Sequence, residues 1–223
     1  MKSAKKTTLL FFLLFATLSK VNAQKKINEG IATYTATYEL TAQQLLYADQ
    51  LPKEITCYFR GDSTAAIVNQ GNFTIKGVSV LKTNYYSMLI EIPASSKKIA
   101  VVLTPAEIEE EKAADPHFTG TKGTEMQIIN GYNCTKVSIA DAKNSATYDI
   151  WVTNDIDIVP NSVSKLVSEF GGVPVKFITF NRGIKISAEL IEIKETPIPA
   201  GFFTATKDYQ SMSFDQLKAL PAN

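Results

Sequence analysis

Asp149, Asp155 and Asp157 fall within one nine-residue stretch, and paired carboxylates are the groups that glycosidic hydrolysis or calcium binding requires. Yet Asn154-Asp155-Ile156-Asp157 lacks the glycine and the later glutamate of a calcium loop, and acids are ordinary where a strand ends. His117 is the one histidine, which excludes zinc sites built on two or three imidazoles and leaves a serine triad only that residue to use. A cluster of His117 with Asp115 or Glu111 is sparse, and a solvated loop histidine explains it more simply. No Gly-x-Ser-x-Gly elbow is present, and Gly171-Gly172 follows a predicted helix rather than opening one, so it makes no phosphate cradle. Cys57 and Cys134 are the two cysteines. A bridge between them is permitted but not required, because each sits in an apolar strand-like setting where a free thiol acts as a small hydrophobe. No neighbouring cations activate either thiol. The residues therefore supply no convincing catalytic set, no metal site and no cofactor site, and the expectation is a non-enzymatic protein, with a hydrolase using Asp149, Asp155 or Asp157 ranked last.

The N-terminus says where such a protein would work. Met1 to Ala23 carries four lysines and no acid around the apolar run from Leu9 to Leu18, and closes on Val21-Asn22-Ala23. The run is shorter than the roughly 20 residues that cross a bilayer, and small Ala23 suits cleavage before Gln24. That is the pattern of a signal peptide over residues 1–23, followed by one β-rich domain over 24–223. A lipid-anchored form would need cysteine at the cleavage point, whereas the first is Cys57. Removing 23 residues and four lysines leaves 200 residues and turns the formal charge from +1 to −3. A mildly acidic chain lacks the basic surface that a nucleic-acid partner needs. No second apolar stretch is long enough to span a membrane, so the mature chain is expected in the periplasm or outside the cell.

The dominant pattern after Gln24 is alternation with period two, which predicts an antiparallel sheet. In the first strand, Gly30 to Leu40, Ala32, Tyr34, Ala36 and Tyr38 share one face and Thr33, Thr35 and Thr37 the other. Further strands are expected at 54–60, 64–68, 73–82, 85–92, 97–103, 125–139 with a break at Asn130-Gly131, 147–153, 173–180 and 183–195. Arg60-Gly61-Asp62 matches an integrin-binding tripeptide, but a hairpin turn accounts for it without a partner. Thr104-Pro105-Ala106-Glu107 has the chemistry of a helix start, and the helix is expected to reach Ala114. The segment 115–123 reads as a surface loop and the best lid. Val163, Leu166, Val167 and Phe170 have helical spacing over 161–170. Ile191 and Ile193 break the phase of Ile184, Ile186, Ala188 and Leu190, which points either to a bulge or to burial on both sides. A last short helix starts at Ser213, with Gln216 completing its capping box.

Two stretches resemble a known family: Gly131-Tyr132-Asn133-Cys134-Thr135-Lys136, then Tyr148-Asp149-Ile150-Trp151-Val152-Thr153. They are similar to the signature of an exported Gram-negative envelope family, domain-of-unknown-function family number 4412. Gly172-Val173-Pro174-Val175 and the ending Pro199-Ala200-Gly201-Phe202-Phe203 are similar to its closing strands and tail. A sister group named for Gly-Leu-Pro-Gly-Leu-Ile fits less well, since the second glycine is missing. The resemblance implies a lipoprotein-carrier-like (LolA-like) fold: mainly β, a strongly curved antiparallel sheet or unclosed barrel with a few short helices. It brings no catalytic residues. It implies a concave apolar face able to hold a lipid or another hydrophobic small molecule, with Tyr132, Trp151, Phe177 and Phe180 as the contact residues. The same aromatics serve equally as core packing, in which case the chain is an interaction or assembly module for an envelope protein partner.

Overall fold

Alternating side chains make Glu29–Glu39 a strand with one dry face: Ala32, Tyr34 and Ala36 are buried, Thr33 and Thr35 are half-buried, and Thr37 is exposed. The same logic builds most of the molecule. The computed structural model describes residues 24–219 apart from 71, 114, 144 and 182. The leader expected over Met1 to Ala23 lies outside the described residues. In chain order the strands are β1 (Lys25–Lys26), β2 (Glu29–Glu39), β3 (Glu54–Arg60), β4 (Ser63–Gln70), β5 (Phe73–Val80), β6 (Tyr85–Ile92), β7 (Lys97–Val102), β8 (Phe118–Ile129), β9 (Tyr132–Asp141), β10 (Thr147–Thr153), β11 (Ile156–Asp157), β12 (Val173–Asn181), β13 (Ile184–Glu195) and β14 (Gln210–Met212). The helices are α1 (Pro105–Ala113) and α2 (Phe214–Lys218).

Twelve strands form one sheet in the order β14-β7-β6-β5-β4-β3-β2-β13-β12-β10-β9-β8. The sheet curves strongly but does not close into a barrel, so β14 and β8 remain its edges. The mainly β, open and curved architecture expected from the sequence is the one observed. All pairings within it are antiparallel except that of β14 with β7. A separate two-stranded pair joins β1 to β11 in parallel.

Neighbouring residues on a strand point to opposite faces, and both faces of this sheet are apolar. Cys57 belongs to the main core with Tyr34, Phe59, Ile150, Val175, Phe177 and Leu190. The adjacent Tyr58 packs on the other side, where Ala65, Val78, Leu89 and Ala100 meet Ile198 and Phe203 of the C-terminal tail. Ile90, Ile99 and Val101, on the same face as the main core, are covered by Ile108 of α1 and Phe214 of α2. The tail is strapped down by polar contacts as well: Arg60 donates to Ile198 O at 3.0 Å, Ile198 N donates to Glu29 Oε1 at 2.7 Å, and Lys76 Nζ donates to Phe202 O at 3.1 Å.

Several local expectations hold in detail. Thr104 and Glu107 cap α1 reciprocally, with Thr104 N donating to Glu107 Oε2 at 2.6 Å and Glu107 N to Thr104 Oγ1 at 3.3 Å. Ser213 and Gln216 do the same for α2. Asn130 and Gly131 turn the β8–β9 hairpin with φ of 49° and 84°, as a two-residue turn with left-handed residues requires. The pairing of β13 with β2 slips between Leu190 and Glu192, which is the bulge that the phase break at Ile191 announces.

Two expectations are corrected. The helix expected over 161–170 is only a 3-10 turn at Lys165–Val167 within a run of turns. Asn161 Oδ1 captures Val163 N at 3.0 Å and Ser164 N at 3.2 Å, and Asn161 N donates to Ser164 Oγ at 3.2 Å. Such side-chain bonds compete with the helical ladder. Val163 and Val167 are nonetheless buried, so the apolar spacing seats the segment without making it helical. The loop and lid expected over 115–123 is largely β8, whose residues 118–122 pair with 141–137 of β9. Its threonines and glycines show no alternation because an edge strand with exposed faces needs none; backbone pairing alone makes it a strand.

Candidate functional site

The three aspartates that could have formed an acid pair are each engaged differently. Asp149 pairs with Lys136 Nζ at 2.9 Å and accepts from Ser138 Oγ at 2.7 Å. The Lys136 ammonium holds its carboxyl below the usual range. Asp155 accepts from Asn133 N at 2.6 Å and Asn133 Nδ2 at 3.1 Å, tying the start of β9 to the turn after β10. Asp157 makes neither an ion pair nor a side-chain hydrogen bond among the described residues, and lines a cavity. His117 is exposed and joins its loop through its carbonyl, which accepts from Ala142 N at 2.9 Å. Among the described residues no group of three or more His, Cys, Asp and Glu is placed to hold a metal.

Cys57 and Cys134 are free and buried, so the permitted bridge is not formed. Burial pushes the Cys57 thiol up to about 12, against hydrogen bonds from Ser162 and the Val163 backbone. Burial likewise raises Cys134 to about 11. Both remain protonated hydrophobes at neutral pH.

Of the four aromatics expected to contact a hydrophobic ligand, Phe177 belongs to the main core cluster and Tyr132 and Trp151 pack against it. Phe177 is buried edge-on against Tyr34, with ring centroids 5.9 Å apart and planes at 84°. Phe180 lies against Phe118 at 6.3 Å. Trp151 stands opposite Lys136 and Lys176, between buried Ile150 and Val152, and is half-buried. Tyr132 follows the hairpin turn, also half-buried, and burial raises its phenol. None of the four lines either of the two best-formed cavities.

The larger of these, about 280 Å³, lies between the β1–β11 pair and the crossover leading into β12. Gln24, Asn154, Asp157, Ser164 and Ser168 give it a polar wall, and Ile158, Pro160, Val173 and Pro174 an apolar one. Gln24 Nε2 donates to Ile156 O at 2.7 Å, and Ser164 is buried and held by Asn161. Gly172 sits at the junction with φ of 154°, and a Cβ there would meet Thr153 O at 2.6 Å. The second cavity, about 140 Å³, is formed by Met126, Gln127, Ile128 and Asn133 beside the outer edge strand.

The model of a family described as a domain of unknown function (DUF4412) matches residues 47–159, half of the chain. This chain belongs to that family. The matched part of this DUF4412 chain runs from the β2–β3 connection past β11 and includes Tyr132, Cys134 and Trp151. β12, β13 and the tail lie beyond it. No curated protein matches the chain. Among solved structures it is similar to one titled "Structure of PNGF-II in C2 space group", at 16% identity and a TM-score of 0.44. That alignment covers 85% of this chain and 31% of the other, so this chain spans about a third of that protein.

The larger cavity escaped the sequence reading because its wall comes from three separated stretches with no shared motif. A second omission did leave a signal. Leu45, Leu46 and Tyr47 lie in a 3-10 segment, Gln44–Gln50, that buries none of its residues, and Leu46 is 80% exposed. Three contiguous apolar residues among glutamines mark that site in the sequence.

Proposed function

We propose that this chain is an exported, non-enzymatic envelope protein that acts as an interaction module, with a core filled by its own side chains. The observation that carries this reading is the covering of the sheet. The segment 156–170 fills the main apolar face, α1 and α2 fill its far end, and the tail fills the opposite face. Among the described residues, what remains apolar and exposed is scattered at Phe73, Leu81, Val102 and Ile191 and gathered at two places: Leu45, Leu46 and Tyr47 at one loop, and Met126 and Ile128 on edge strand β8. Among the described residues no helix is long and apolar enough to cross a membrane. The charged leader of residues 1–23 supports export, and the separate engagement of Asp149 and Asp155 supports a role without catalysis.

The competing reading, a carrier-like fold with an acyl chain in the concave face, would need 161–167 to lift away from Tyr34 and Cys57. One experiment separates the two. In-cell cross-linking of wild type and a Leu45→Ser/Leu46→Ser/Tyr47→Ser variant should recover a discrete envelope protein with the first and not the second. Equal recovery by both, together with saturable uptake of a fluorescent fatty acid by the purified chain, would overturn the proposal in favour of the carrier.

A further inference from the structure

We propose that the 280 Å³ cavity beside the β1–β11 pair is a binding site for a small aliphatic primary amine, with Asp157 as the counter-ion of its ammonium. Among the described residues of the lining, Asp157 is the one that carries a charge. It is half-buried and, among the described residues, has no ion pair or side-chain hydrogen bond, whereas Asp149 and Asp155 beside it in sequence are both engaged. Lys26 stands opposite Asp157 in the strand register but makes no ion pair with it, and Lys25 turns to Glu195 at 2.8 Å. A carboxylate left in this position is an acceptor awaiting a donor of positive charge.

The rest of the wall selects the class. Asn154, Ser164 and Ser168 offer hydroxyl and amide oxygens, and among the described residues no lysine, arginine or histidine lines the cavity. Bringing an anion there would desolvate it against a like charge without compensation. The opposite wall of Ile158, Pro160, Val173 and Pro174 suits a methylene stem. The volume is smaller than the roughly 300–1,000 Å³ of sites for drug-sized ligands, which fits a short diamine and leaves no room for a long acyl chain. The wall is also held in place. Ser164 is tied through Asn161 to the hydroxyl of Tyr34, with Asn161 Nδ2 donating at 2.9 Å. Any side chain at Gly172 would press on Asn154, since a Cβ would stand 3.3 Å from its Oδ1.

The test is a two-dimensional NMR titration of the isotope-labelled exported chain with putrescine, and with acetate and glucose at the same concentrations. Putrescine is expected to shift the amides of 154–158 and 164–174 in a saturable manner, with acetate and glucose silent there. Asp157→Asn is expected to weaken putrescine binding about tenfold or more, the loss of a charged hydrogen bond. Ser168→Phe, which fills the space and leaves the carboxylate in place, should abolish it. Both variants should keep the wild-type spectrum elsewhere. Shifts by putrescine outside the cavity, unchanged affinity in Asp157→Asn, or equal binding of acetate or glucose would each overturn the proposal.

Discussion

Buried Val163 and Val167 seat segment 161–167 on the sheet, the Tyr34 hydroxyl pins it through Asn161 and Ser164, and Tyr34→Phe tests that pin. Tyr34 is fully buried, and its hydroxyl accepts from Asn161 Nδ2 at 2.9 Å. Burial pushes its phenol well above the usual range, so it is a neutral partner at any physiological pH. Deleting the hydroxyl removes only one atom and opens a small space, but it leaves an amide donor of Asn161 buried without an acceptor. That loss costs about 1–3 kcal/mol, more than the bond's net worth of about 1 kcal/mol, because the orphaned donor stays desolvated. In a domain of this size each kcal/mol lowers Tm by about 2–4 °C. The assay is urea unfolding of wild type, Tyr34→Phe, Asn161→Ala and the double variant. Asn161→Ala should cost more than Tyr34→Phe, since the bonds from Val163 N and Ser164 N go with it. The double variant should be less damaging than the sum of the singles by about 1 kcal/mol, the coupling of residues in one network. Strict additivity, or a Tyr34→Phe effect below about 0.5 kcal/mol, would refute the claim that this bond pins the segment.

Other perturbations probe other parts. Phe203→Ala in the tail should destabilise by about 3–5 kcal/mol, as a buried phenylalanine does, and raise binding of a hydrophobic dye; dye binding at the wild-type level would show that the tail does not cover the face. Gly120→Ala should cost about 1–3 kcal/mol, since its Cβ would stand 2.3 Å from Phe170 Cδ1, and Phe170→Ala in the same chain should recover part of that on urea melts. Cys57 and Cys134 should stay unreactive to a thiol reagent at pH 8 in the folded chain and both react once unfolded; a mass two daltons short of the reduced chain would instead reveal a bridge. The folded Cys57 thiol titrates at about 12 rather than the ordinary 9.0, so its contribution is full below about pH 9 and is lost as pH rises toward 12. Alkaline unfolding should therefore be shallower in Cys57→Ala, which pH-jump fluorescence of Trp151 can follow.

Much of the strand pattern was legible because its cause is local. The dry face of β2, the bulge at Ile191, the Asn130-Gly131 turn and the caps at Thr104 and Ser213 all follow from residues a few positions apart. Where local signals compete or are missing, reading failed. The apolar spacing of 161–170 was real, but Asn161 took the backbone for itself. The first half of β8, residues 118–123, carried no pattern, since at an open edge nothing demands one. The aromatics Tyr132, Trp151, Phe177 and Phe180 look alike as a set, yet register and twist put Phe177 inside the core, Tyr132 and Trp151 at its margin, and Phe180 against Phe118.

By itself the sequence determined that both faces of the pleated layer would be apolar and that its backbone would alternate and turn where it does. Those properties depend on side-chain type and a repeat of two residues. Only the tertiary structure decided what shelters each face and where a carboxylate is left without a partner. Tyr34 with Asn161, Arg60 with Ile198, and Gln24 with Ile156 are more than 120 residues apart. No short-range preference encodes such meetings; they exist only once twelve strands have settled into one register and the remaining chain has been folded back over them.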